Sequence, residues 1–205
     1  MDYIVIDNVL TPSHCGEIES ICRNYLSYRY SASTVDKSYS VDGNNYSTYV
    51  DENTFDVGHF CCLVTDTNGN VFDKSLFSLL LPIFHKAKDE LPELNLLRIS
   101  RLKVNLLLKQ DSAPEYHYNI AHHDIAHERI KHYSMVYYLN DSDGDTHLFQ
   151  EYTNDDRPVK SLTPFATVSP KKNRLVIFDS NRLHASSNPK VSADRFVINF
   201  IVEAK

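Results

Sequence analysis

Two apolar, branched and aromatic runs near the C-terminus, Arg-Leu-Val-Ile-Phe-Asp at 174–179 and Arg-Phe-Val-Ile-Asn-Phe-Ile-Val at 195–202, constrain this chain most. Runs of that length and character are buried strands, and Ser186-Ser187-Asn188-Pro189 between them is turn chemistry. The same signal recurs upstream. From Arg98 to Leu108 the residues alternate, with Leu102, Val104, Leu106 and Leu108 on one face and Arg101, Lys103 and Asn105 on the other. Further strands are expected near 57–64, 133–139, 146–149 and 163–168, with turns at Asn68-Gly69-Asn70, Asp141-Ser142-Asp143-Gly144 and Ser169–Asn173. A first strand at 3–6 precedes a helix that opens at Thr11-Pro12-Ser13 and carries Ile18, Ile21, Cys22, Tyr25 and Leu26 on one face. A second helix is capped by Asp73, and Pro82 is expected to kink or divide it. Many short strands preceded by two helices predict a mainly β chain with supporting α, folded as an antiparallel double-sheet barrel buttressed by the N-terminal helices. The expected organisation is one domain over 1–205, with 1–97 as support and 98–205 as the core barrel.

Chemistry concentrates at His122-His123-Asp124, at His184 sixty-two residues after His122, and at Arg195 eleven residues further on. On an extended segment, residues two apart leave the same face, so His122 and Asp124 can grip one ion together. Two imidazoles and one carboxylate hold one face of a divalent iron and leave the opposite face open. His184 has to come from another strand. A hairpin across 186–189 would put His184 and Arg195 on neighbouring strands, where the guanidinium fork can pair with a carboxylate of a metal-bound ligand. His123 turns the other way and reads as a supporting or surface residue, while His117 and His132 read as solvated loop histidines, and 109–131 reads as a polar connection that carries the His-x-Asp pair. Asn105, on the polar face of its strand, is a cleft candidate. The tyrosines at 28, 30, 39, 46 and 49, in a polar stretch with a turn at Asp42-Gly43-Asn44-Asn45, read either as ordinary strand and loop residues or as a substrate lid.

On these residues the C-terminal half resembles the Fe(II) and 2-oxoglutarate-dependent dioxygenases, in their prolyl 4-hydroxylase-like branch. The family pattern His-x-Asp…His…Arg falls on His122, Asp124, His184 and Arg195. Tyr137-Tyr138-Leu139-Asn140 and Gly144-Asp145-Thr146 resemble further family segments, and Ile6–Thr11 with Cys15 is similar to the family's opening strand and helix. Asp145 and Val197 depart from the pattern where some members have glycine and serine. The resemblance implies a double-stranded β-helix (jelly-roll) barrel, Fe(II) held by His122, Asp124 and His184, and O2 as oxidant. It implies 2-oxoglutarate as co-substrate, with its far carboxylate on Arg195 and Tyr138. Thr146 and Asn199 are further candidates in the co-substrate cleft. The implied reaction couples decarboxylation of 2-oxoglutarate to hydroxylation of a C–H bond. The substrate is a prolyl peptide or protein on the branch resemblance, or a free amino acid or small metabolite on the shared metal site. Short members of this kind are also similar to those encoded by bacteriophages and marine bacteria.

Composition bounds the alternatives. With 205 residues, 42% of them hydrophobic, the chain can bury a sizeable core. A formal charge of −6 disfavours general nucleic-acid binding, and nothing basic follows Arg195 before Lys205, where nucleic-acid demethylases of this superfamily tend to carry a second arginine. No apolar run approaches the roughly 20 residues that span a bilayer, so no membrane partner and a cytoplasmic location are expected. Cys15 and Cys22 share a helical face, and the adjacent Cys61 and Cys62 cannot readily close a bridge, so all four read as reduced. His127-Glu128-Arg129-Ile130-Lys131-His132 approaches a zinc-protease motif, but Lys131 stands where the second histidine must be. The rival classes are a non-catalytic barrel that binds a metal or ligand, and a zinc- or manganese-loaded isomerase that would leave Arg195 without a carboxylate.

Overall fold

A computed structural model describes residues 2–35, 48–124, 130–152 and 161–205. The turn at 42–45, Tyr39, Tyr46 and residues 127–129 of the zinc-protease-like stretch lie outside them, as do residues 153–160 of the loop after the strand at 146. In chain order the elements are β1 (Ile4–Asp7), α1 (Pro12–Asn24), β2 (Arg29–Ser31), β3 (Thr48–Tyr49), β4 (His59–Thr65) and α2 (Lys74–Glu90). After a short 3-10 turn at Pro92–Leu94 come β5 (Leu96–Leu108), β6 (Ala121–His122), β7 (Lys131–Tyr138), β8 (Thr146–Tyr152) and β9 (Pro164–Val168). The chain closes with β10 (Arg174–Asp179), β11 (Arg182–Ser186) and β12 (Asp194–Ala204).

The strands form two sheets, ordered β1-β10-β7-β12-β5-β4-β2 and β3-β6-β11-β8-β9, with antiparallel ladders throughout the named strands. This is the expected jelly-roll sandwich. The helices cover the outer face of the larger sheet. Cys15, Ile18 and Cys22 of α1 and Leu76, Leu80, Ile83, Phe84 and Ala87 of α2 recur at helical spacing and pack on Leu102, Val104, Phe196, Ile198 and Phe200. The same strands send alternate residues into the space between the sheets, where Val136, Tyr138, Val176, Phe178 and Val197 meet Leu148 and Val168. Each apolar side chain so buried stabilises by roughly 1.5–3 kcal/mol.

Local signals act where they were expected. Asp73 accepts the Leu76 N–H at 2.9 Å and starts α2. That helix continues through Pro82 without dividing, because the buried stripe on both sides of the proline offsets one missing ladder bond. Asn173 takes a left-handed conformation, φ 67°, at the turn before β10. Its side-chain oxygen accepts from the Leu10 N–H and from the Tyr137 hydroxyl, tying the start of the chain to the barrel. Among the described residues no helix is long and apolar enough to cross a membrane.

Three expectations need correction. His184 and Arg195 are not on neighbouring strands: β11 belongs to the small sheet and β12 to the large one, so the two side chains face each other across the sandwich. The turn chemistry at 186–189 crosses between sheets instead of closing a hairpin. The connection over 109–131 is not simply polar and solvated, since Tyr118, Asn119, Ile120 and Ala121 are buried. His117 and His132 are buried as well, and His117 Nδ1 bonds the Pro114 carbonyl at 2.8 Å.

Candidate metal and co-substrate site

His122 and His184 are brought together by register. They are directly paired between β6 and β11, and their rings lie 4.6 Å apart centre to centre. Each imidazole spends Nδ1 on a carbonyl two residues back, Ile120 for His122 at 3.1 Å and Arg182 for His184 at 3.0 Å. With Nδ1 protonated, Nε2 is left as the free donor on the inner side. Asp124 follows β6 in a bend anchored by its own N–H on the Ser180 carbonyl at 3.1 Å. Its carboxylate lies 3.5 Å from His184 Nε2, and one ligand atom from each of the three residues falls within 4.8 Å of the others.

The carboxylate is held at both oxygens. Arg101 donates to Oδ1 and Ser134 to Oδ2, each at 2.6 Å, and Ser134 meets Ser180 at 3.0 Å. Burial alone would raise the Asp124 carboxyl, but His184, Arg101, His122 and Lys103 outweigh it and hold it well below the usual carboxylate range. Burial pushes His122 down to about 3 and lowers His184 too. At neutral pH the cluster therefore presents two neutral imidazoles and one anionic carboxylate, the protonation states a divalent cation needs.

Arg195 stands on the opposite sheet, 3% exposed. Its Nε donates to the Gly144 carbonyl at 2.6 Å and its Nη2 to Thr146 Oγ1 at 2.7 Å. Tyr138, fully buried, donates its hydroxyl to the same Thr146 oxygen at 2.8 Å. Between Arg195 and the histidines runs an open cleft lined by residues of both sheets. Asn105 and Asn199 line it from adjacent strands, and each leaves its side-chain oxygen buried without a hydrogen-bond partner among the described residues.

The structure thus gathers His122, Asp124 and His184 at one end of the cleft and Arg195, Thr146 and Tyr138 at the other, with Asn199 lining it. His123 is half-buried, with Nδ1 unpartnered among the described residues. Tyr28 turns to the helical side, where its hydroxyl bonds the Cys22 carbonyl at 2.8 Å and its ring packs on Phe196. Sequence reasoning missed the supports of Asp124. Arg101 had a signal, because the alternation of β5 put it on the face of Asn105. Ser134 and Ser180 had none, since a serine within or just after a strand carries no mark of the partner it meets.

Residues 110–203 match the family model described as the 2OG-Fe(II) oxygenase superfamily. No curated protein sequence matches the chain. Among solved structures, the fold is similar to the alpha ketoglutarate dependent epimerase SnoN from nogalamycin biosynthesis, with TM-score 0.64 and 11% identity over 99% of this chain and 78% of that one. It is similar to a 2OG-Fe(II) oxygenase family oxidoreductase from Burkholderia pseudomallei, with TM-score 0.64 and 14% identity over 98% and 85%. A prolyl hydroxylase from Trichoplax adhaerens, in complex with a hypoxia inducible factor peptide fragment, gives TM-score 0.57 and 15% identity over 98% and 83%.

Proposed function

We propose that the chain is an oxygenase of the 2OG-Fe(II) superfamily, whose model matches residues 110–203 and whose enzymes use Fe(II), 2-oxoglutarate and O2, and that it hydroxylates a C–H bond of an organic substrate. The observation that carries this reading is the facing of two sites across one cleft, a two-imidazole, one-carboxylate cluster and a buried arginine. His122 Nε2, Asp124 and His184 Nε2 hold the iron, and the donor set suits Fe(II). When bound, the iron and 2-oxoglutarate supply the oxidising chemistry, with decarboxylation to succinate.

The chain's own residues position and exclude. Arg195 would pair with the far carboxylate of 2-oxoglutarate through its guanidinium, fixed by Gly144 and Thr146. Tyr138 locks Thr146 from behind, and Asn199 offers an amide along the path between the two ends. Arg101 and Ser134 keep Asp124 ionised and aimed. Val136 and Val197 form an apolar wall that limits water at the reacting centre.

Hydroxylation of a prolyl peptide is supported by the likeness in fold to a prolyl hydroxylase. A small-molecule substrate, a free amino acid among the candidates, is the second reading, and the likeness in fold to an epimerase from nogalamycin biosynthesis supports a substrate other than a peptide. Anaerobic titration of the protein with Fe(II) and 2-oxoglutarate tests the core of the reading. The expected result is a weak visible metal-to-ligand band that is lost in His184→Ala. Iron binding with no band and no succinate in air would leave a non-catalytic metal-binding barrel as the better description.

A further inference from the structure

We propose that the primary substrate bears a free carboxylate, which Lys103 pairs with and the Asn105 amide hydrogen-bonds, on the side of the cleft away from Arg195. This inference rests on the oxygenase reading and names its substrate class. Lys103 and Asn105 lie on β5, paired across β12 with Asn199 and Val197 and across β4 with Leu63 and Cys61. Directly paired residues project to the same face, so both side chains stand on the cleft floor that also carries Arg195. Both line the cleft, beside His59 and Thr34.

Lys103 has no carboxylate and no hydrogen-bond partner among the described residues. The one anion near it is Asp124, which Arg101 and Ser134 already hold and which serves the metal. Burial pushes the Lys103 amine down to about 8, as expected for a cation short of a counter-charge. Arg101 and Lys103 stand together at the Asp124 end of the cleft and share that one carboxylate, just as Asp145 acts on Arg195 at the other end. Arg195 takes one end of the co-substrate and the metal the other, so Lys103 awaits a third carboxylate.

Neighbouring groups favour a carboxylate over a phosphate. One ammonium and one amide match a single charge and two oxygens, whereas a phosphate dianion would keep a charge unmatched. Asn105 is 6% exposed with its oxygen unpartnered, and the oxygen of Asn199 and Nδ1 of His59 are also buried without partners among the described residues. Those acceptors call for a ligand with N–H or O–H donors beside its carboxylate. Free amino acids, N-acyl amino acids and peptide C-termini all share that pattern.

The test uses the full chain loaded with Zn(II), to block turnover, and with 2-oxoglutarate. The N-acetyl derivatives of the common amino acids are compared with their carboxamides by ligand-observed NMR. Tetrapeptides with free or amidated C-termini form a second arm, and a preference confined to that arm identifies a chain terminus. The expected result is at least one free acid that binds about tenfold or more tighter than its carboxamide, the discrimination of a charge-assisted hydrogen bond. That preference should fall to within about twofold in Lys103→Met and be partly kept in Lys103→Arg. Free acids that bind no better than carboxamides overturn the inference. So does a Lys103→Met protein whose 2-oxoglutarate titration weakens as far as that of Arg195→Ala, because Lys103 would then serve the co-substrate. A wild-type protein that binds neither metal nor 2-oxoglutarate overturns the oxygenase reading together with this one.

Discussion

Gly144 lies directly against Arg195: its carbonyl accepts from Arg195 Nε at 2.6 Å, and a Cβ at position 144 would stand 3.0 Å from Arg195 Cδ and 2.6 Å from the Ser187 carbonyl. The glycine at the head of β8 is therefore required by close approach. It lets the crossing segment at 187–189 lie against the residues that lead into β8, beside the arginine.

Gly144→Ala should force that contact apart. Overpacking of this kind costs about 1–3 kcal/mol, and the displaced guanidinium should lose 2-oxoglutarate affinity by about tenfold or more. Thermal denaturation reads the first effect and calorimetric titration with 2-oxoglutarate the second. A variant with unchanged affinity would mean that the position of Arg195 does not depend on this contact.

Arg195→Lys keeps the charge and loses the fork. Gly144 and Thr146 can no longer both be served while the ligand carboxylate is paired, so 2-oxoglutarate binding should weaken about tenfold to a hundredfold, the range for a lost charge-assisted hydrogen bond. Iron binding without 2-oxoglutarate should stay intact. Separate titrations of metal and co-substrate check the split.

Acid should destabilise the metal-free protein through its buried histidines. Burial lowers His122 to about 3, and His59 and His147 to about 4, from an ordinary 6.5. Because these folded values lie below the unfolded one, the unfolded chain binds more protons in between. Stability is then full above pH 6.5 and falls as pH drops from 6.5 toward 4. Urea midpoints across that window should fall with acid, and His59→Gln should flatten the slope. Saturating Zn(II), which binds only the folded cluster, should raise the midpoint near neutral pH and lose that effect on acidification.

Ile198→Ala should destabilise the fold more than Gly144→Ala or Arg195→Lys, costing about 2–5 kcal/mol. Ile198 is fully buried under the helices, in the middle of the central strand β12. Its neighbour Val197 points into the other layer, so Val197→Ala removes different contacts, and any departure of the double variant from the sum of the singles reads the coupling through the shared strand. Denaturation of the single and double variants measures this.

Much of the frame was legible in the chain. The alternation of 98–108 gave β5 with its faces in the right order: Leu102, Val104 and Leu106 lie in the helical core and Arg101, Lys103 and Asn105 face the cleft. Leu108 broke the pattern, being 44% exposed at the strand end. The two-residue spacing of His122 and Asp124 foretold that they would share a face, although Asp124 reaches it from a bend just past the strand. The segment before them was misjudged as a polar connection. Its histidine and asparagine look solvated in a linear chain, yet Asn119 is buried and bonds Asn188 at 3.0 Å and the Ser186 carbonyl at 2.9 Å. Polar residues satisfied by distant partners carry no local signature.

Periodicity is a property of neighbours along the chain, and it was enough to place the longer strands, while residue type alone marked the caps at Thr11 and Asp73 and the members of the cluster; the short strands β2, β3, β6 and β11 carried no such signal. Which sheet a strand joins depends on contacts between residues far apart in sequence. Only the tertiary structure decided that β11 and β12 part company after Ser186, that His184 consequently faces Arg195 across a cleft, and that Arg101, Ser134 and Ser180 converge on Asp124. The physical reason is that hydrogen bonding and close packing reward surfaces that fit in space, and the Gly144 contact that lets the chain cross between sheets exists only once both sheets are formed.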